Sequence, residues 1–211
     1  MDRERRSVPL HVVSDSAKAE LDEAALGRAL IAGESWAPAA TWNRYASLVY
    51  GMACRALGNE YEAEDVTQEV FYRLFARSGT LRNPEALRSF VVSFAVRIVK
   101  WELRRKRVGR MLTFLGPRDL PDAPFRGADP EARDTLRRFY ILLDRLGSRE
   151  RIVFALRRLE SWTLVEIAEG MELSLSTIKR SYERAEREVF EWIANDPDLV
   201  KLIGEEGGGH A

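Results

Sequence analysis

The sequence predicts an all-α chain of two small helical domains joined by a flexible linker. Three observations predict it. Apolar residues recur at i+3 and i+4 spacing from about residue 20 to 107 and again from about 131 to 195. Between them, residues 108–130 hold Gly109, Gly116, Pro117, Pro121, Pro124, Gly127 and Pro130, seven breakers in 23 residues. Near the end, two helical stretches flank a short turn, the spacing of a helix-turn-helix.

Composition narrows the chemistry. The 211 residues carry 33 Lys plus Arg against 33 Asp plus Glu, so net charge says nothing and the location of the charges decides. Cys54, the single cysteine, excludes an intramolecular disulfide and a Cys-rich zinc site, and reads as a small core residue. The two histidines, His11 and His210, sit near the termini. No His/Cys/carboxylate constellation or Gly-rich phosphate loop is present, so no catalytic residue, metal ligand or cofactor is expected. No apolar run of membrane-spanning length and no signal peptide appear, which predicts a cytoplasmic protein with no membrane contact.

Residues 1–19 are polar and aperiodic and read as a flexible arm. From Glu20, Leu21, Ala25, Leu26 and Ala29-Leu30 form the first stripe, ending near Gly33. Pro38 opens the next helix, with Trp42, Tyr45, Val49, Met52, Ala53 and Ala56 on its buried side and Gly58-Asn59 as its stop. The third helix carries Val66, Val70, Phe71 and Leu74 inward. Glu60, Glu62, Glu64, Asp65 and Glu69 give residues 60–69 five negative charges and no positive one. Such a face, with Asp65, Gln68 and Glu69 outward, suits a basic partner, although an acidic solvated face is the plain alternative.

After Asn83-Pro84, residues 84 to about 107 read as one helix or two, with Leu87, Phe90, Val91, Phe94, Ala95, Ile98 and Leu103 buried. From Arg97 to Arg110, seven cations (Arg97, Lys100, Arg104, Arg105, Lys106, Arg107, Arg110) face one anion, Glu102, with Trp101 among them. Cations neutralise phosphates and a ring stacks on unpaired bases, so this cluster suits DNA.

In the second domain, Leu136, Phe139, Tyr140, Leu142-Leu143 and Leu146 form one stripe, and Ser148 is a fair cap for a helix with Ile152, Val153, Leu156 and Leu159. Thr163 and Glu166 form a capping box. Ser174 or Ser176 caps the last long helix, in which Ile178, Tyr182, Ala185 and Val189 face inward. Thr177, Lys179, Arg180, Arg184 and Arg187 lie on its other side, although residues 174–188 hold three acids, Glu183, Glu186 and Glu188, against four cations. By itself that helix is as well explained as a salt-bridged surface helix. The Gly-rich end, Gly207-Gly208-Gly209, is expected to be disordered.

These motifs carry a family resemblance. Ala63–Phe75 (AEDVTQEVFYRLF) resembles, nearly residue for residue, the polymerase-binding helix of bacterial sigma factors of the small, two-domain extracytoplasmic-function type. Phe90–Arg97 occupies the place of the family's Trp-Leu-x-x-Ile-Ala-x-Asn run, and Arg104 and Arg105 match its following arginines. Leu156–Glu169 and Ser174–Arg180 resemble the family's last domain. The likeness covers about 175 residues in the family's order.

It implies a sigma region 2-like bundle over 20–107, a linker over 108–130, a sigma region 4-like helix-turn-helix over 131–195 and a tail over 196–211. It implies that the chain is not an enzyme but directs transcription initiation. Core RNA polymerase would be bound, at the β′ clamp helices and the β subunit, through Asp65, Gln68, Glu69, Phe71 and Tyr72. The promoter −10 element would be met by Phe90, Ser93, Arg97, Lys100, Trp101, Arg104 and Arg105. The −35 element would be met by Ser176, Thr177, Lys179, Arg180, Glu183, Arg184 and Arg187. An anti-sigma factor is a further partner common in the family.

The chain departs from the pattern at Phe90 (usually Trp), Arg97 (usually Asn), Trp101 (often acidic), Glu172 (usually Gly), Arg180-Ser181 (usually reversed) and Glu186 (often Arg). Glu172 stands where the turn often needs positive φ, a conformation that costs a non-glycine residue about 1 kcal/mol. The departures at Arg97, Trp101, Glu172 and Glu186 keep open a promoter-blind sigma-like protein, and a stand-alone helix-turn-helix regulator is the other alternative.

Overall fold

The computed structural model describes residues 22–113, 130–197 and 199–200. The expected N-terminal arm, most of the expected linker and the Gly-rich end lie outside them. Among the described residues there is no strand. The helices are α1 (Glu23–Ala32), α2 (Ala37–Leu57), α3 (Glu60–Ala76), α4 (Leu87–Thr113), α5 (Pro130–Leu143), α6 (Ser148–Phe154), α7 (Leu164–Met171) and α8 (Leu175–Ala194). The all-α class read from the sequence holds.

Helix ends follow the local chemistry. Asp22 caps α1 by accepting from the Ala24 amide, and Gly33 ends it at φ 72°. Pro38 sits in the first turn of α2, where its missing N–H has no partner to lose. Gly58 ends α2 at φ 73°, and any β-carbon there would sit 2.4 Å from the Tyr140 ring. Conformation and space both require glycine. Asn59 then caps α3 through the Glu62 amide, 3.1 Å away. The start of α4 is served from outside: a Glu23 carboxylate oxygen accepts from the Arg88 amide at 2.6 Å, which ties α1 to α4.

Three expectations needed correction. Residues 84–107 are neither a pair of helices nor the limit of one: a 3-10 turn at Pro84–Ala86 leads into a single α4 that runs to Thr113, past the expected linker start at 108. Gly109 does not stop it, because one interior glycine costs only about 1 kcal/mol against alanine. Ser148 lies inside α6, and the capping position is Gly147, with no side-chain bond. The helix expected through Leu159 changes pitch at Ala155: Ala155–Leu159 form a π-turn, and Ser161, two residues past its end, stands at φ 56°.

Packing proceeds in two clusters. Phe139, Tyr140, Leu142, Leu143, Leu146 and Phe154 meet Ala185, Val189, Ile193 and Leu199 in a core made by α5, α6 and α8. A larger cluster joins α1–α4 (Leu26, Val49, Val70, Phe71, Leu74, Val91, Val92, Val99) to Ile152, Val153, Leu156, Trp162, Ile167 and Ile178 from the C-terminal half. The halves therefore pack on one another through an apolar contact, rather than standing apart as two bodies on a tether.

Candidate polymerase and nucleic-acid interface

Three groups of side chains were expected to be functional, and the structure places each on one helix. On α3, Asp65, Gln68 and Tyr72 are exposed, Tyr72 at 73 %, and Glu69 is half-buried. Arg73 donates from Nε to Glu69 Oε1 at 2.5 Å, which offsets part of that charge. Phe71 is the exception. It is 1 % exposed and packs on Trp42 and Phe75, with ring centroids 4.7 and 5.7 Å away. Its expected role in partner contact is corrected: it holds the helix from within, because position 71 falls on the apolar stripe with Val70 and Leu74. Sequence reasoning missed Tyr61, 58 % exposed. Tyr61, Asp65, Gln68 and Tyr72 follow i, i+4, i+7, i+11 spacing, one straight stripe on the outer face. That spacing was the signal that could have found it.

On α4, Arg97, Trp101, Arg104 and Arg105 are exposed, Trp101 at 53 %. Arg105 grips Glu102, Nη2 to Oε1 at 2.6 Å and Nε to Oε2 at 3.0 Å, and its guanidinium lies 5.4 Å from the Trp101 ring centroid. Glu102, 6 % exposed, thus orients the arginine and the indole together. Lys100 is half-buried, and desolvation, then the neighbouring Arg104 and Arg149, push its pKa down. Ser93 is corrected: it is 5 % exposed and its hydroxyl donates to the Phe90 carbonyl at 2.9 Å. Phe90 is half-buried, edge-on to Phe94 at 5.0 Å. Both face the packed side of α4, which leaves the i, i+4, i+7 row Arg97, Trp101, Arg104 as the outer face.

The helix-turn-helix forms as its caps predict. Thr163 and Glu166 make the full capping box: the Glu166 amide donates to Thr163 Oγ1 at 3.2 Å, and Glu166 Oε2 accepts from the Thr163 amide at 2.8 Å. The Thr163 amide first, and then the Thr163 hydroxyl, which also donates to Glu166 Oε2 at 2.8 Å, hold the Glu166 carboxyl below its ordinary pKa. Glu172 ends α7 at φ 54°, ψ 41°, the left-handed conformation expected of this turn. Ser174 caps α8 through the Thr177 amide at 3.3 Å. On α8, Ser176, Lys179, Arg180, Glu183, Arg184 and Arg187 are exposed and Thr177 is half-buried. Arg184 is tied to Glu188, Nε to Oε1 at 3.0 Å, and that bond raises its pKa. Lys179, Arg180 and Arg187 have no ion-pair partner among the described residues, and Lys179 and Arg180 lie within two turns of the α8 N-terminus. An anionic ligand at that end would meet these two cations and the positive end of the helix dipole.

The α3 stripe, the α4 row and the α8 row are not brought into one site. They are separate faces, one acidic and two basic, and no arrangement of His, Cys, Asp and Glu able to hold a metal ion occurs among the described residues.

Comparison with known proteins agrees with this division. Residues 41–108 match the family model for sigma-70 region 2, and residues 142–190 match that for sigma-70 region 4. The chain is 28% identical over 137 residues to the ferric citrate uptake sigma factor FecI of Escherichia coli, covering 62% of this chain and 76% of that one. It is 26% identical over 155 residues to the ECF RNA polymerase sigma factor SigE of Mycolicibacterium smegmatis (72% and 59%). To the probable ECF RNA polymerase sigma factor SigI of Mycobacterium tuberculosis it is 29% identical over 165 residues (72% and 54%). The chain thus spans little more than half the length of either mycobacterial relative.

Among solved structures, the fold is shared with CnrH, determined in complex with the cytosolic domain of CnrY (TM-score 0.58, 19% identity, 82% of this chain and 98% of that one). It is also shared with the sigma factor RpoE of Bartonella quintana, determined with the anti-sigma factor NepR (0.54, 15%, 74% and 95%). Two region models in sequence order, one on each half, and relatives of a single kind establish that the chain belongs to the extracytoplasmic-function subfamily of sigma-70 factors.

Proposed function

We propose that this chain binds core RNA polymerase and directs it to promoters, acting as a binding protein rather than as an enzyme. The observation that carries the reading is the separation of charge. The tyrosine-flanked stripe Tyr61, Asp65, Gln68, Tyr72, with Glu64 exposed beside Asp65, lies on α3, and the basic rows lie on α4 and α8. A protein that bridges a basic protein surface and DNA needs this segregation, and it leaves net charge at zero.

In this reading α3 docks on the β′ clamp helices. Arg97, Arg104 and Arg105 neutralise phosphates of the −10 segment, and Trp101, backed by Arg105, offers a stacking face to an unpaired base. The N-terminal half of α8 enters the major groove at the −35 element, with Arg180 and Lys179 toward base edges and Arg184 and Arg187 toward phosphates. Region 2-like and region 4-like units over 20–107 and 131–195 are the corresponding division of labour. By likeness to the two solved complexes, an inhibitory protein partner is proposed as well. No helix among the described residues is long and apolar enough to cross a membrane, which fits action at the chromosome.

The test is run-off transcription with purified core polymerase and pooled promoter fragments. New start sites that share −10 and −35 sequences are expected only when the protein is present. Absence of both transcripts and co-migration with core polymerase would overturn the reading.

A further inference from the structure

The cations of α4 are of two kinds. Arg97 and Arg105 already hold carboxylates: Arg97 Nη2 lies 2.9 and 3.0 Å from the two oxygens of Glu172, and Arg105 grips Glu102. Lys100, Arg104 and Arg107 pair with no carboxylate among the described residues. These three follow i, i+4, i+7 spacing and form a second row beside the first, sharing Arg104 with it. That row turns toward α6, since Lys100 feels the charge of Arg149 and Arg107 reaches Arg145.

The facing element adds two more cations. Arg145 lies in the turn before α6 and Arg149 in the first turn of α6, and both are exposed. Arg107 Nη2 donates to the Arg145 carbonyl oxygen at 3.4 Å, so the two elements touch here. The Arg145 guanidinium lies 5.5 Å from the Trp192 ring centroid, which steadies it without neutralising it. Arg151, farther along α6, is turned inward: it is 3 % exposed and donates to the Ala56 and Leu57 carbonyls. Five cations therefore line the junction of α4 and α6, and no carboxylate among the described residues pairs with any of them. The crowding is felt. Burial, then Arg104 and Arg149, lower the pKa of Lys100, and Glu150 opposes them more weakly. Like charges held together without counter-ions are a cost to the fold and an attraction for phosphates.

We propose that this junction binds a single strand of nucleic acid, of any sequence, in the chain free of polymerase. Phosphates lie between Lys100, Arg104 and Arg107 on one side and Arg145 and Arg149 on the other, and Trp101 stacks one base. The span fits: seven residues of helix rise about 10 Å, and one strand carries a phosphate about every 3.4 Å, which gives the row about three phosphates. The indole of Trp101, 53 % exposed beside Arg104, chooses the kind of anion. It stacks on an unpaired base, and it gains nothing from a duplex whose bases are already stacked or from a phosphate chain that has none. The surface goes beyond promoter recognition. It uses Arg107, Arg145 and Arg149, which no promoter contact employs, and it needs neither polymerase nor a −10 sequence.

The test is fluorescence anisotropy of a labelled oligothymidine, about 12 nucleotides long, with the full chain and no polymerase, over a series of salt concentrations. Saturable binding is expected, with a log–log salt slope of about −2, the value for three phosphates of a single strand. Arg107→Ala/Arg149→Ala removes one exposed cation from each side. It should weaken binding about fivefold or more near 0.1 M salt and flatten the slope by at least about 0.7. Trp101→Ala should weaken binding by about fivefold or more with the slope kept. Arg77→Ala/Arg82→Ala makes the same change of net charge at exposed positions near the opposite end of α4, and should stay within about twofold of the wild type. Helix content by circular dichroism shows that each variant is folded, and where one unfolds the other decides. No saturable binding, or an equal loss in the Arg77/Arg82 variant, would overturn the proposal. So would a blunt duplex of the same length that binds as tightly, or inorganic polyphosphate that displaces the strand at equal phosphate concentration. Transcription is read separately, so this surface and the sigma reading fail independently.

Discussion

Phe71 and Tyr72 are neighbours in sequence and opposite in consequence. Phe71 is enclosed by Trp42 and Phe75, so Phe71→Ala should cost about 3–5 kcal/mol of stability in a denaturant melt, with binding lost only through unfolding. Tyr72→Ala, at an exposed position, should leave stability within about 0.5 kcal/mol and weaken capture of core polymerase in a pull-down. An inverted result would remove α3's outer stripe from the account. Cys54 behaves as its burial dictates: desolvation pushes its thiol pKa up, so alkylation at neutral pH should be slow in the folded chain and fast in denaturant. Which side chains face out was largely legible at this scale, because α3 and α8 keep strict helical period. Phe71 and Ser93 were misplaced because a motif carries residue identity but not the direction of a side chain. Tyr61 was missed because it lies outside the matched run.

At the scale of elements, the caps were the most legible features. Asp, Asn, Ser and Thr before an apolar run satisfy helix N–H groups by local chemistry that needs no tertiary context. Thr163→Ala should cost about 1 kcal/mol by loss of the capping box. The Glu166 partner makes that stability depend on pH. Its folded pKa is depressed, so its contribution is present above the unfolded value near 4.3 and is lost as pH falls through the folded one. The stability gap between wild type and Glu166→Gln, measured by thermal melts, should be constant near neutrality and close as the medium is acidified below pH about 4. A gap independent of pH would contradict the box. The length of α4 and the π-turn were not legible. A lone glycine does not fix a helix end, and the change of pitch at Ala155 has no local signal in an apolar run that keeps helical spacing.

For the whole molecule, the sequence offered a linker and two helical units, and not their contact. Composition sees Arg97 and Glu172 as separate oddities 75 residues apart, and no periodicity links them. The contact depends on three-dimensional placement: Gly58 under Tyr140, Gly170 against Val92, and Arg151 on the end of α2. The zero net charge was legible, and its meaning came from the segregation of the acidic stripe from the basic rows. Because those rows make the DNA contacts in this account, Arg187→Ala should reduce the salt slope of promoter binding by the polymerase complex by about one. Arg180→Ala should relax sequence preference at one position by about 1–3 kcal/mol.

The central claim is that the α3 stripe delivers this chain to core RNA polymerase and that the complex then starts transcription at promoters of its own. The most direct measurement is run-off transcription with core polymerase, comparing the wild-type chain with Asp65→Lys/Gln68→Ala. The account predicts transcripts from shared new sites with the wild type and at least about tenfold fewer with the variant, whose fold and DNA affinity are unchanged. Equal transcription by the two proteins would contradict it, and so would wild-type protein that neither joins core polymerase nor yields a transcript.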